Sequence, residues 1–163
     1  MRKCSECTAC CEGWLRAEEL DMRPGKACQH RVSGGCAIYP ERPDDPCKTF
    51  RCGWLQNPEL LDEELRPDKC GAILLTGRPA AGFEVWRLAP IGRAVTEQTL
   101  LRFQELADSM KMPLMWTQRA EKFADGDSSS ETYSMGSEEF ISALKWDFPD
   151  EHVWDLASRD NPN

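Results

Sequence analysis

The spacing of apolar residues changes near residue 70, and the regular elements fall mostly beyond that point. Gly71-Ala72-Ile73-Leu74-Leu75 and Phe83-Glu84-Val85-Trp86-Arg87-Leu88 read as two short strands around a turn over 77–82, which predicts a hairpin. From Arg93 to about Lys111, Val95, Phe103, Leu106 and Met110, flanked by Leu100 and Ala107, fit one face of an amphipathic helix. Pro113 marks its end. Leu114-Met115-Trp116-Thr117 predicts a third strand, and the polar run 125–130 a mobile loop. Ser137 is placed to cap a short helix with Glu138 and Glu139 in its first turn and Phe140, Ile141 and Leu144 on its buried face. The acidic, aromatic tail from Trp146 to Leu156 is expected to pack on the body, with docking onto a protein partner as the alternative, and 160–163 to fray.

Before residue 70 the pattern is different. Eight of the nine cysteines lie in the first 52 residues, together with Pro24, Pro40, Pro43, Pro46 and the pair Gly34-Gly35. Such a stretch reads as turns joined by short elements, with one or two helical turns around Ala17 to Met22 stopped by Pro24-Gly25. It has too few aliphatic side chains to build a core alone, and units of this kind fold with covalent or metal staples. The expected fold is α+β: a loop-rich, metal-stapled cysteine region over 1–70, packed on a hairpin and helix layer over 71–163 as one compact unit.

Charge narrows the partners. The chain carries 20 basic against 28 acidic residues, net −8, which argues against binding a nucleic-acid backbone. No stretch reaches the roughly 20 apolar residues a membrane span needs, and Met1-Arg2-Lys3-Cys4 runs into cysteines without an apolar leader segment. The expectation is a cytoplasmic protein. In a reducing compartment nine cysteines call for metal, catalysis or burial rather than disulfides.

The cysteines themselves have ligand spacing. Cys4, Cys7, Cys10 and Cys11 form C-x-x-C-x-x-C-C, whose two-residue spacers let successive thiolates turn back toward one centre. Cys28, Cys36, Cys47 and Cys52 can close one or two four-ligand sites. Adjacent side chains such as Cys10 and Cys11 diverge and seldom share one small ion. The eight thiolates therefore divide into two sites of four, or make one four-cysteine site with four supporting cysteines. His30 either ligates, bonds a thiolate or is solvated, while Cys70 reads as buried and inert and His152 as a surface residue. Glu18-Glu19, Asp44-Asp45 and Glu63-Glu64 read as solvated faces, and no hydrolase, zincin or nucleotide-binding motif is present.

These residues resemble the YkgJ-like C-x-x-C-x-x-C-C family of bacterial zinc- or iron-chelating cysteine-cluster proteins. The resemblance includes the opening cluster, Cys36-Ala37-Ile38-Tyr39-Pro40, Arg42-Pro43, Cys47 and Phe50-Arg51-Cys52, and covers roughly 4–54, with a weaker continuation from Arg66-Pro67-Asp68-Lys69 into Gly71. It implies metal chelation, with the eight cysteines as candidate ligands, and implies no settled reaction. A similar cluster accompanies an iron–sulfur centre in flagellin lysine N-methylases, but no methyl-donor site is recognised here.

Two functions follow. The first is a metal-binding protein in which zinc, the first choice, or iron orders the N-terminal half. The second is an enzyme or redox protein dependent on iron or an iron–sulfur cluster, with Cys10 or Cys11 as a labile ligand or reactive thiol and Tyr39 or His30 lining the site. Metal storage or transfer is a third and weaker reading.

Overall fold

The computed structural model describes residues 2–4, 7–119 and 130–148, and 153–155 by backbone alone. In the cysteine-rich part the elements are short because turns interrupt every run of helix formers. Tight helical turns cover Ala9–Glu12 and Glu18–Leu20. The helix expected over Ala17 to Met22 shrinks to the second of these, because Asp21 enters the left-handed region at φ 47 and folds Met22 back onto Ala17. A two-residue hairpin follows, Arg31–Val32 (β1) with Gly35–Cys36 (β2), and then an irregular turn over Asp44–Lys48 containing a cis Asp45-Pro46 peptide.

Two one-turn helices, Gly53–Gln56 (α1) and Pro67–Cys70 (α2), lead into the sheet. One turn is too short to show periodicity, so the sequence pattern did not reveal them. Pro67 takes the first helical position of α2, and Gly71 at φ 74 closes it.

The sheet has five strands in the order Ala72–Leu75 (β3), Trp86–Pro90 (β4), Leu114–Arg119 (β5), Ser130–Met135 (β6) and Val153–Asp155 (β7). The predicted hairpin is present, with Leu74 opposite Leu88. Its second strand starts at Trp86 rather than Phe83, because Ala80 and Phe83 pair to close the intervening turn. β4 and β5 are parallel, so the connection between them must cross over, and Glu97–Ser109 (α3) makes the crossing. β6 is hidden in the sequence because Ser-Glu-Thr-Tyr-Ser-Met is largely polar and its first residue, Ser130, belongs to the polar run that reads as a loop. Residues 125–129 of that loop, and His152, lie outside the described residues.

The helices cover opposite faces of the sheet, following the alternation of side chains along β5. Leu114 and Trp116 join Phe103 and Ala107 of α3, whereas Met115 joins Phe140, Ile141 and Leu144 of Glu138–Asp147 (α4). α4 starts as predicted, with Ser137 Oγ accepting from the Phe140 N–H at 3.3 Å. α3 begins at Glu97 rather than Arg93, because Thr96 caps it by accepting from the Thr99 N–H. Met110, expected on its apolar face, falls beyond its end and is 52% exposed.

Thr99 is buried and its hydroxyl donates to the Cys70 carbonyl at 2.8 Å, tying α3 to α2. Thr99→Val keeps the shape and orphans that carbonyl, so urea titration is expected to show a loss of about 1–2 kcal/mol.

The two halves share one core: Ala9, Cys52, Trp54, Leu61 and Leu65 pack in the same cluster as Ile73, Leu88 and Phe103. Arg119, buried at the end of β5, reinforces this from a distance. Its Nη1 donates to the carbonyls of Pro90 (2.5 Å) and Gly92 (2.8 Å), and its Nη2 to that of Trp14 (3.1 Å). In the tail, Trp146 is 86% exposed, contrary to the expectation that its aromatics pack on the body; 149–152 and 156 lie outside the described residues. Among the described residues no helix is long and apolar enough to cross a membrane.

Candidate metal centre

The opening cysteines are carried on turns. The Cys7 N–H donates to the Cys4 carbonyl at 2.9 Å, and the N–H groups of Cys11 and Glu12 both reach the Thr8 carbonyl. Cys10 and Cys11 are consecutive in the tight turn Ala9–Glu12, where neighbouring side chains point about 120° apart. Cys10 packs with Cys7 and Cys52 against the main core. Cys11 packs with Cys28 and Cys47 against a separate small cluster of Ala17, Leu20 and Met22. The Cys28 N–H also donates to the Cys11 carbonyl at 2.9 Å. Cys36 sits on β2, opposite Arg31.

The largest charged neighbours of each thiol follow the same division, while Cys10 and Cys11 also lie within reach of one another and Cys11 of Cys7. Cys4 is raised by its hydrogen bond with Cys7, then by burial of its sulfur and by the charges of Cys7, Cys10 and Cys52. Cys7 is lowered to about 7, because Cys4 bonds its sulfur and the Ala9 and Asp68 N–H groups add to that stabilisation. Burial raises Cys10, with Cys52 the largest charged neighbour. Burial also raises Cys52, against the opposing pull of the Leu55 and Trp54 N–H groups at the start of α1. Cys11 is pushed up to about 11 by burial and then by Cys28, Cys47 and Cys36. Cys47 is raised by burial, Cys28 and Cys36, with Arg42 pulling the other way.

Two neighbourhoods result: Cys4, Cys7, Cys10 and Cys52 in one, and Cys11, Cys28, Cys36 and Cys47 in the other. Crowded thiols resist ionisation because each thiolate repels the next; a bound cation reverses that balance. Among the described residues, no three His, Cys, Asp or Glu side chains already converge on a point that could hold a metal ion. The neighbourhoods are therefore sets of donors, not closed coordination shells.

The remaining candidates sort as follows. Cys70 is buried, as expected, with its thiol pushed up to about 11 mainly by burial. His30 is half-buried, and its backbone carbonyl accepts from the Ala37 N–H; among the described residues its ring makes no hydrogen bond. Tyr39 is exposed, with the Arg42 guanidinium stacked 3.9 Å above its ring. The acidic pairs are exposed, Asp44 meeting Lys48, and Glu63 meeting Arg66 and Lys69. No family model, curated protein or solved structure matches this chain.

Sequence reasoning missed two glycines that support the neighbourhoods. At Gly13, φ 82, a Cβ would lie 2.3 Å from the Lys26 carbonyl oxygen, so this glycine lets the chain pass against the residues just before Cys28. At Gly53 a Cβ would lie 2.4 Å from Leu74 Cδ2, so α1 and its preceding Cys52 press directly on β3. A signal was available, since Gly-Trp-Leu occurs twice, at 13–15 and 53–55, each time close behind a cysteine. The two tryptophans are treated alike. Arg2 lies 4.4 Å from the Trp54 ring and donates to the Trp54 carbonyl, and Arg119 lies 5.8 Å from the Trp14 ring and donates to the Trp14 carbonyl.

Proposed function

We propose that this protein binds metal through two four-cysteine centres, Cys4/Cys7/Cys10/Cys52 and Cys11/Cys28/Cys36/Cys47, and that the metal mainly orders the N-terminal half. The observation that carries the reading is that adjacent Cys10 and Cys11 pack against different hydrophobic clusters, each alongside other cysteines. The N–H groups directed at Cys7 and Cys52 support it, since hydrogen bonds to sulfur favour the thiolate a metal requires. The resemblance to the zinc- or iron-chelating family points the same way.

All-thiolate sets of four suit zinc, which supplies positive charge without redox chemistry and accepts tetrahedral coordination. The residues present fit that demand in donor type and number. Cys4, Cys7 and Cys10 with a remote Cys52 also match the donor pattern of an iron–sulfur cluster, which keeps an iron-dependent protein as the second reading.

Anaerobic purification followed by elemental analysis, a visible spectrum and thiol titration tests both. The expected result is colourless protein with about two zinc ions per chain and the cluster thiols shielded from a thiol reagent until a chelator is added. Iron with strong thiolate absorption would establish the second reading, and metal-free protein with its thiols open to reagent would overturn both.

A further inference from the structure

We infer that the two centres have unequal duties: the core-borne one is permanent, and the peripheral one is an exchangeable site for a thiophilic divalent cation whose occupancy holds residues 29–51 in place. This inference rests on the metal reading above and extends it to regulation.

The observation behind it is that no residue from Gln29 to Arg51 is buried. Ordering a segment of that length costs conformational entropy at every residue, and little apolar burial offsets the cost here: Phe50, near its end, is half-buried against the main core, and Cys47 packs on the small cluster. Its strands are two residues long, and an isolated two-stranded hairpin is at best marginally stable in water. Several of its polar contacts are internal: Arg42 to the Tyr39 carbonyl, Lys48 to Asp44 and Thr49 to Asp45. The ion pair Arg31–Glu12 reaches outside the segment, but it is solvent-exposed and screened. Phe50 on the main core and the Gln56 Nε2 bond to the Arg51 carbonyl hold its last residues, and what remains to anchor the rest is sulfur, with Cys28 at its start and Cys36 and Cys47 within it, beside Cys11.

The first neighbourhood is built differently. Cys7, Cys10 and Cys52 pack in the main core, and α1 is pressed onto β3 through Gly53. Loss of a cation there disturbs the whole core. Loss of a cation from the second neighbourhood releases four thiolates, which take up protons from water, and frees a segment otherwise held by the Arg31–Glu12 pair and, at its far end, by Phe50 on the main core and the Gln56 bond to the Arg51 carbonyl. The body stays folded, and the free-cation level is converted into order or disorder of 29–51.

The test uses the full zinc-loaded chain under reducing conditions, with a competing chelator added in steps. Released zinc is counted, trypsin cleavage is mapped and amide exchange in the sheet is followed. Zinc is expected to leave in two steps, the first opening cleavage after Arg31 and Lys48 while the sheet amides stay protected. Cys36→Ser should hold one zinc with an intact sheet, and be cut within 29–51 roughly tenfold faster or more than the loaded wild type. Loss of both ions in one step together with the sheet would overturn the inference while leaving the metal reading standing. So would cleavage unchanged by the first release. A chain that takes up no zinc, and is cut alike with and without it, would sink both.

Discussion

Cys52→Ser is expected to destabilise the whole protein by more than about 4 kcal/mol, whereas Cys70→Ser, at a comparably buried position, should cost only about 1–2 kcal/mol. Cys52 is 4% exposed and Cys70 8%, so simple loss of a buried thiol would make the two substitutions similar. On the proposed metal reading the difference comes from what each sulfur does. Structural zinc sites contribute apparent binding energies of about 10–16 kcal/mol, comparable with the entire stability of an ordinary domain, so removing one ligand of four withdraws a large share. Gly53 transmits the damage, because α1 cannot shift after Cys52 without moving Leu74 in the edge strand β3. Denaturant titration of both variants, with metal content measured alongside, gives the comparison. Equal and small losses in the two would mean that Cys52 is packing alone and that the first centre does not exist.

Arg119→Met should lower stability by about 4 kcal/mol, a melting-temperature drop of roughly 8–16 °C for a chain of this size. Two effects oppose each other. Methionine removes the desolvation of a buried guanidinium, a burden that already depresses the Arg119 pKa and that neighbouring Arg16 adds to. Against that, it orphans the carbonyls of Pro90, Gly92 and Trp14, at about 1–3 kcal/mol each. Three orphaned acceptors outweigh one relieved cation. Arg119→Lys keeps the charge but presents one ammonium where three carbonyls lie on two separate segments, Pro90 and Gly92 on one and Trp14 on the other, so it should recover only part of the loss. Thermal unfolding of the three proteins decides the point. A methionine variant as stable as the parent would show that water satisfies those carbonyls and that Arg119 does not tie the cysteine region to the sheet.

What was legible in the sequence was local. Ser137 followed by Glu138 and Glu139 signalled its helix, and Phe103 with Ala107 signalled α3, because caps and periodic apolar faces depend on neighbours a few positions away. β6 was hidden because only Tyr133 and Ser134 of its six residues are buried, leaving little apolar alternation to detect. In the cysteine cluster, the divergence of Cys10 and Cys11 followed from adjacency. Assignment of Cys52 to the first neighbourhood and Cys28, Cys36 and Cys47 to the second needed the path of the chain, which spacing does not encode. Gly13 and Gly53 were passed over for the same reason: what makes them indispensable is the Lys26 backbone in one case and the Leu74 side chain in the other.

The bond from Arg119 to the Trp14 carbonyl spans 105 positions, and it sets an order of events during synthesis. Residues 1–52, with eight cysteines, leave the ribosome before the sheet does, and at typical elongation rates Arg119 follows Trp14 by about 5–20 s. Throughout that interval the nascent thiols can meet one another, a metal ion or an oxidant, but not the completed sheet on which Cys7, Cys10 and Cys52 later pack. The supply of metal and reductant around the translating ribosome therefore bears on the yield of correctly assembled protein, before any question of the finished molecule's stability arises.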